Sequence, residues 1–284
     1  MTFGGKRGKI SPSDRMGRKG TRRMFGSEDR YQYVAPPLVE VICQLRFPAI
    51  LSIAAQEPAA FQERIRGEYP LYAARQDQVA PKVVNGSGGP TLEPQKPVTN
   101  YNLISEDKRW KVNLTSTFIA LSTVSYRRWE EFAGRLDKLL AEFIEIYHPA
   151  FFERIGLRYV NAVSRQRLHL EGRPWNELIQ PAYLGVMGEM DVEESSLTKC
   201  ATDIDMKLEG DCGLKLHAGL GLLGDGKRDP EVKFIFDQDL SAAGKINAAA
   251  VPEKLVTLHN HADRIFRGAI TSELHGAMGP EPID

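Results

Sequence analysis

Apolar residues recur along residues 127–147 at the spacing of one helical face. Trp129, Phe132, Leu136, Leu139, Leu140, Phe143 and Ile146 follow at intervals of one, three and four, which draws a single stripe on an α-helix. The pattern predicts a long helix over Arg127–Tyr147, broken at His148-Pro149 and followed by an apolar strand, Phe151–Val163. A second stripe (Leu255, Leu258, Ala262, Ile265, Phe266, Ile270, Leu274) predicts a closing helix over Pro252–His275, with Pro252 in its first turn and Gly276 just past its end.

Period-two alternation marks the strands. Val39, Val41, Cys43, Leu45 and Phe47 alternate with Glu40, Ile42, Gln44 and Arg46, which predicts a strand over Leu38–Phe47. A short helix is expected at Glu57–Gly67, then a long low-order stretch at 76–99 rich in Gly and Pro. Further strands are expected at Thr99–Ser105, Arg109–Ser116 and Phe118–Tyr126. A short helix near Trp175–Ile179 precedes strands at Ser195–Leu208, Gly213–Leu223 and Glu231–Leu240. Strands come in runs rather than alternating singly with helices. That argues an α+β fold, antiparallel sheet packed by long amphipathic helices. Each part contains strands followed by a long helix, so two pseudo-repeated lobes are expected, 31–163 and 164–284, behind a basic arm at 1–30.

Net charge sharpens the picture of the arm. Residues 1–23 hold eight Lys/Arg and one Asp, a net +7, so 24–284 carries −7 within an overall charge of zero. The arm has little to bury and reads as disordered. Lys6, Arg7, Lys9, Arg18, Lys19, Arg22 and Arg23 are its candidate phosphate contacts, should it grip nucleic acid. Met16 and Met24 are alternative starts. Neither a secretory signal nor a run of the roughly 18–20 apolar residues needed to cross a bilayer is present. The three cysteines (Cys43, Cys200, Cys212) form no C-x-x-C pair, which suits a cytoplasmic protein.

Motifs that carry chemistry are sparse. His259 and His261, two apart on a helix, point to different sides, and no zinc spacing occurs, so no metal and no cofactor are expected. Gly219-x-Gly221-x-x-Gly224 precedes a strand rather than a helix, so it lacks the helix N-terminus that a dinucleotide site uses. No G-x-S-x-G elbow occurs, and Asp203 and Asp205 read as a solvated strand face. No catalytic residue is assigned. Glu40, Arg158 and Asn161 remain, polar groups set among apolar strand residues. Each must find a partner or water, because an unpaired buried charge costs several kcal/mol. A Glu40–Arg158 ion pair between neighbouring strands is the expected solution, with Arg158 mostly buried. Alternation sets Arg158 and Asn161 on opposite faces. The other reading makes these three a ligand site.

Pro37-Leu-Val-Glu-Val41, Tyr126-x-x-Trp129-x-x-Phe132, Gly156-Leu-Arg-Tyr-Val-Asn161 and the closing helix through Phe266 to Met278-Gly279 together resemble a sporadically distributed family of prokaryotic proteins. That family has no assigned function, and the resemblance spans roughly 31–280. The family pattern begins near Tyr31, so residues 1–23 depart from it. The resemblance implies a prokaryotic or phage-borne, defence-associated setting. With much core and no assembled chemistry, the chain reads as a non-enzymatic binding or adaptor subunit acting through a protein partner or self-association. A nucleic-acid-binding or -processing protein using the basic arm is the alternative.

Overall fold

A computed structural model describes residues 24, 29–86, 89–189, 192–224 and 227–283. The basic stretch 1–23 lies outside the described residues. In chain order the elements are β1 (Tyr31–Tyr33), β2 (Leu38–Arg46), α1 (Leu51–Ala55), α2 (Ala59–Ile65), β3 (Leu71–Asp77), β4 (Lys82–Gly86), β5 (Gly89–Glu93), β6 (Val98–Ile104), β7 (Trp110–Leu114), β8 (Phe118–Thr123) and α3 (Trp129–Tyr147). Then come β9 (Phe152–Val163), α4 (Trp175–Leu178), β10 (Ala201–Leu208), β11 (Cys212–Gly221), β12 (Lys233–Ile246), α5 (Val251–Ala269), α6 (Ser272–Ala277) and β13 (Pro280–Pro282).

The fold is α+β, built on a nine-stranded antiparallel sheet in the order β10-β11-β12-β9-β2-β8-β7-β6-β3. Helices α3 and α5 cover one face. Phe132 and Phe143 of α3 are fully buried, as are Leu258 and Ile265 of α5, and Phe143 sits 5.0 Å from Phe47. The other face is open and polar. Helix α3 ends because His148 adopts a left-handed φ of 45° and Pro149 cannot continue the hydrogen-bond ladder. The predicted closing helix breaks once. After α5, Ile270 turns extended, and the Thr271 hydroxyl caps α6 by accepting from Leu274 N at 3.3 Å.

Chain order and sheet order together reveal a repeat. The first half runs from leading strand β2 through α1, α2 and β3 to the meander β6-β7-β8, then α3. The second runs from leading strand β9 through α4 and short turns to the meander β10-β11-β12, then α5. Each leading strand pairs with the last strand of its own meander, and the two leading strands pair with each other at the centre. In this order the second half begins after His148-Pro149. β9 leads the second half, and one continuous sheet joins both.

The low-order stretch 76–99 holds more structure than expected. β3 forms a sheet edge, and β4 and β5 make a separate hairpin. The signal for β3 is absent because nearly all its residues are exposed, so no apolar alternation was available to read. The stretch expected to open the tenth strand at Ser195 forms a helical turn instead, and the strand starts at Ala201. β1 and β13 pair with each other, bringing the two described ends of the chain together.

Candidate functional site

The seam between the two halves, on the helix-covered face, encloses a cavity of about 130 Å³. Its floor comes from inward positions of β9 and β12, where Tyr159 lies opposite Gln238 and Asn161 opposite Phe236. Its walls are the start of α3 (Trp129, with Tyr126 just before) and one stripe of α5. His259, Ala262, Asp263 and Phe266 of α5 follow at i, i+3, i+4 and i+7, so one helical face presents all four. Tyr31 and Tyr33 of β1 and the stiff Pro36-Pro37 segment close the remaining side.

His259 is fixed from two directions. Its ring stacks on Trp129 at 4.4 Å and 7°, joining α5 to α3, and its Nδ1 lies 2.8 Å from the Tyr159 hydroxyl. Burial, reinforced by the Arg30 charge, pushes its pKa down to about 4, with Glu130 working the other way. His259 is therefore neutral near pH 7. Tyr159 is itself buried, and its phenol is held well above the ordinary range by that burial and then by the neighbouring Tyr126. The imidazole is accordingly positioned more as a wall than as a proton shuttle.

Three polar side chains give the cavity its chemical character. Gln238 is 1% exposed, and its Oε1 has no hydrogen-bond partner among the described residues. Asn161, 5% exposed, donates Nδ2 to the Phe236 carbonyl at 3.3 Å. Asp263 is pushed up from the usual carboxylate range by burial, against the pull of Arg267 and Arg30. A buried amide oxygen left without a donor costs about 1–3 kcal/mol. At the mouth stand Arg127 and Arg128, both exposed, and Arg30, which donates to Glu130 at 2.8 Å.

The chain ends brace this site. Tyr33 hydroxyl lies 2.9 Å from His275 Nδ1 and accepts from Arg267 Nη1 at 2.9 Å. The same guanidinium lies over the Tyr31 ring at 4.3 Å. β1, α5 and α6 are thus tied together by one arginine, and β13 pairs along β1.

Of the three candidate site residues Glu40, Arg158 and Asn161, only Asn161 reaches the cavity. The expected Glu40–Arg158 pair does not form, although β2 and β9 are neighbours. Arg158 instead grips Asp237 on its other neighbour β12, with Nε to Oδ1 at 2.8 Å and Nη2 to Oδ2 at 2.5 Å. Nor is Arg158 mostly buried, its side chain being 47% exposed. Its guanidinium is held above its ordinary range first by the Asp237 hydrogen bond, while Glu40 is the last of its favourable charges. Position explains the outcome: all three groups project from the open face, and the Asp237 carboxylate lies within bidentate reach. The arm residues Lys6, Arg7, Lys9, Arg18, Lys19, Arg22 and Arg23 lie outside the described residues.

Sequence reasoning passed over Gln238 and Asp263 and weighed His259 only as a metal ligand, yet each left a trace. Gln238 interrupts the inward series Phe234, Phe236, Leu240, Ala242 of β12. His259, Asp263 and Arg267 recur every four residues beside the apolar stripe of α5. Among the described residues no cluster of three or more His, Cys, Asp or Glu could hold a metal ion. Likewise, among these residues no helix is long and apolar enough to cross a membrane. The chain matches no protein-family model, no curated protein and no solved structure with which it was compared.

Proposed function

We propose that this protein is a non-enzymatic binding protein that takes a small organic ligand into the cavity between its halves. One observation carries the reading: Gln238, a residue that lines the cavity, keeps its Oε1 buried with no hydrogen-bond partner among the described residues. A fold retains such a group against its cost where something other than the protein supplies the hydrogen bond. The aromatic walls support the same reading, because ligand sites combine apolar surface with a few placed polar groups. What favours binding over catalysis is the fixing of His259 by Trp129 and Tyr159.

Action through a protein partner or self-association remains part of this proposal. The nucleic-acid alternative gains nothing from the open sheet face. Its central arginines are already paired, Arg154 with Asp239 and Arg158 with Asp237, so they are not free for phosphates. Phenol is a suitable single-ring probe, since its hydroxyl can donate to Gln238. Titrated into the full chain and followed by tryptophan fluorescence, it should give a saturable change that Ala262→Phe abolishes by filling the cavity. An unsaturable change, identical in the variant, would remove the reading.

A further inference from the structure

We propose that the ligand of this cavity is a short ω-amino carboxylate, whose ammonium end enters to meet Asp263 while its carboxylate stays at the mouth against Arg127 and Arg128. The inference rests on the binding reading above and narrows its ligand class.

The inner charge is an acid. Asp263 is the one acidic residue among the described residues that line the cavity. It is half-buried, and its carboxylate accepts no hydrogen bond from the described residues. Unlike Gln238 Oε1, its oxygens are not shut off from the accessible surface. Burial holds its pKa above the usual carboxylate range, and Arg267 and Arg30 oppose that only through space. Both arginines are committed elsewhere. Arg267 donates to the Tyr33 hydroxyl and lies over the Tyr31 ring, and Arg30 donates to Glu130 at 2.8 Å. A carboxylate so placed is completed by a cation with N–H donors. The rings of Tyr33, Tyr126 and Phe266 stand around the same space, and ring faces attract an ammonium.

Size limits what carries that cation. About 130 Å³ is less than the roughly 150 Å³ of an apolar cavity that holds benzene. An ammonium on a few methylenes has fewer heavy atoms than benzene and a narrower section, so it enters where a fused ring does not.

The outer charge has the opposite sign. Arg127 and Arg128 line the mouth and are exposed, while the third arginine there, Arg30, is offset by Glu130. A plain cation leaves Arg127 and Arg128 facing it, and a plain anion leaves Asp263 unmatched. An α-amino acid carries both charged groups on one carbon and cannot reach inside and mouth together. An ω-amino carboxylate separates them.

γ-Aminobutyrate is the probe. It is set against pentanoate (a methyl in place of the ammonium), butylamine (a methyl in place of the carboxylate) and glycine. Each is titrated calorimetrically into the full chain at low salt, beside the phenol titration. γ-Aminobutyrate should bind and displace phenol, with the other three each at least about tenfold weaker. Asp263→Asn should weaken γ-aminobutyrate about tenfold or more and leave pentanoate within about threefold, with thermal melting showing the variant folded. If that variant fails to fold, γ-aminobutyrate against pentanoate on the native chain decides. Changing Arg127→Gln and Arg128→Gln together should weaken γ-aminobutyrate and pentanoate and spare butylamine. Pentanoate binding as tightly as γ-aminobutyrate, or a folded Asp263→Asn that binds γ-aminobutyrate unchanged, overturns the ammonium end. Butylamine binding as tightly overturns the carboxylate end, and glycine binding as tightly overturns their separation. No binding of γ-aminobutyrate where phenol still saturates overturns the ligand class alone; failure of both probes overturns the binding reading with it.

Discussion

The two faces of β9 carry polar groups under opposite conditions. On the open face, Arg158 and Arg154 pair with Asp237 and Asp239 across to β12, with side chains between 18% and 47% exposed. On the covered face, Asn161 and its cross-strand neighbour region at Gln238 sit at 5% and 1% exposure, and one amide oxygen there has no partner. Water makes the first face forgiving, since exposed ion pairs contribute little and lose little when broken. Its absence makes the second face exacting, where each polar atom must be matched or carry its desolvation cost. Paired charge is therefore the weaker clue to function in this protein, and an unmatched polar group the stronger one.

Breaking the covered face at its core should give the largest effect. Phe143, fully buried against Phe47 and Phe61, should lose about 3–5 kcal/mol as Phe143→Ala in denaturant titration. A loss under about 1 kcal/mol would mean that the covered face is not the core.

Acid should come next. With His259 at about 4 in the folded chain against 6.5 unfolded, the unfolded state takes up a proton that the folded state refuses. That stability is fully present above pH 6.5 and is lost as pH falls toward 4. The gap between the two pKa values makes the contribution roughly 3 kcal/mol. Asp263, its pKa raised by burial, works with the opposite sign. The measurement is thus the difference in pH dependence between the native chain and His259→Gln. Parallel profiles would show that His259 is not buried as a neutral ring.

Gln238→Leu sharpens the contrast further. Removing an unpartnered buried acceptor should raise the melting temperature, by an increment equivalent to about 1 kcal/mol, in protein without ligand. A fall instead would place a partner on Oε1. On the open face, a double-mutant cycle on Arg158 and Asp237 should give a coupling under about 1 kcal/mol, and the Arg158–Glu40 cycle near zero. A coupling of several kcal/mol would make the open face as exacting as the covered one.

Local sequence determined the elements wherever one face of an element is buried. The stripe of α3 and the alternation of β2, β7 and β9 were legible because burying one side imposes a period of 3.6 or two. β3 left no such trace, since an exposed edge imposes no pattern. The alternation of β9 also assigned Asn161 and Arg158 to opposite faces. Only the tertiary structure decided what each of them meets. Arg158 takes its carboxylate from a strand 79 residues away, and Asn161 shares a cavity with residues from both ends of the chain. Backbone periodicity is a local property, fixed by neighbours in sequence. Partnership between side chains depends on strand order and register, which long-range pairing sets and no local spacing encodes.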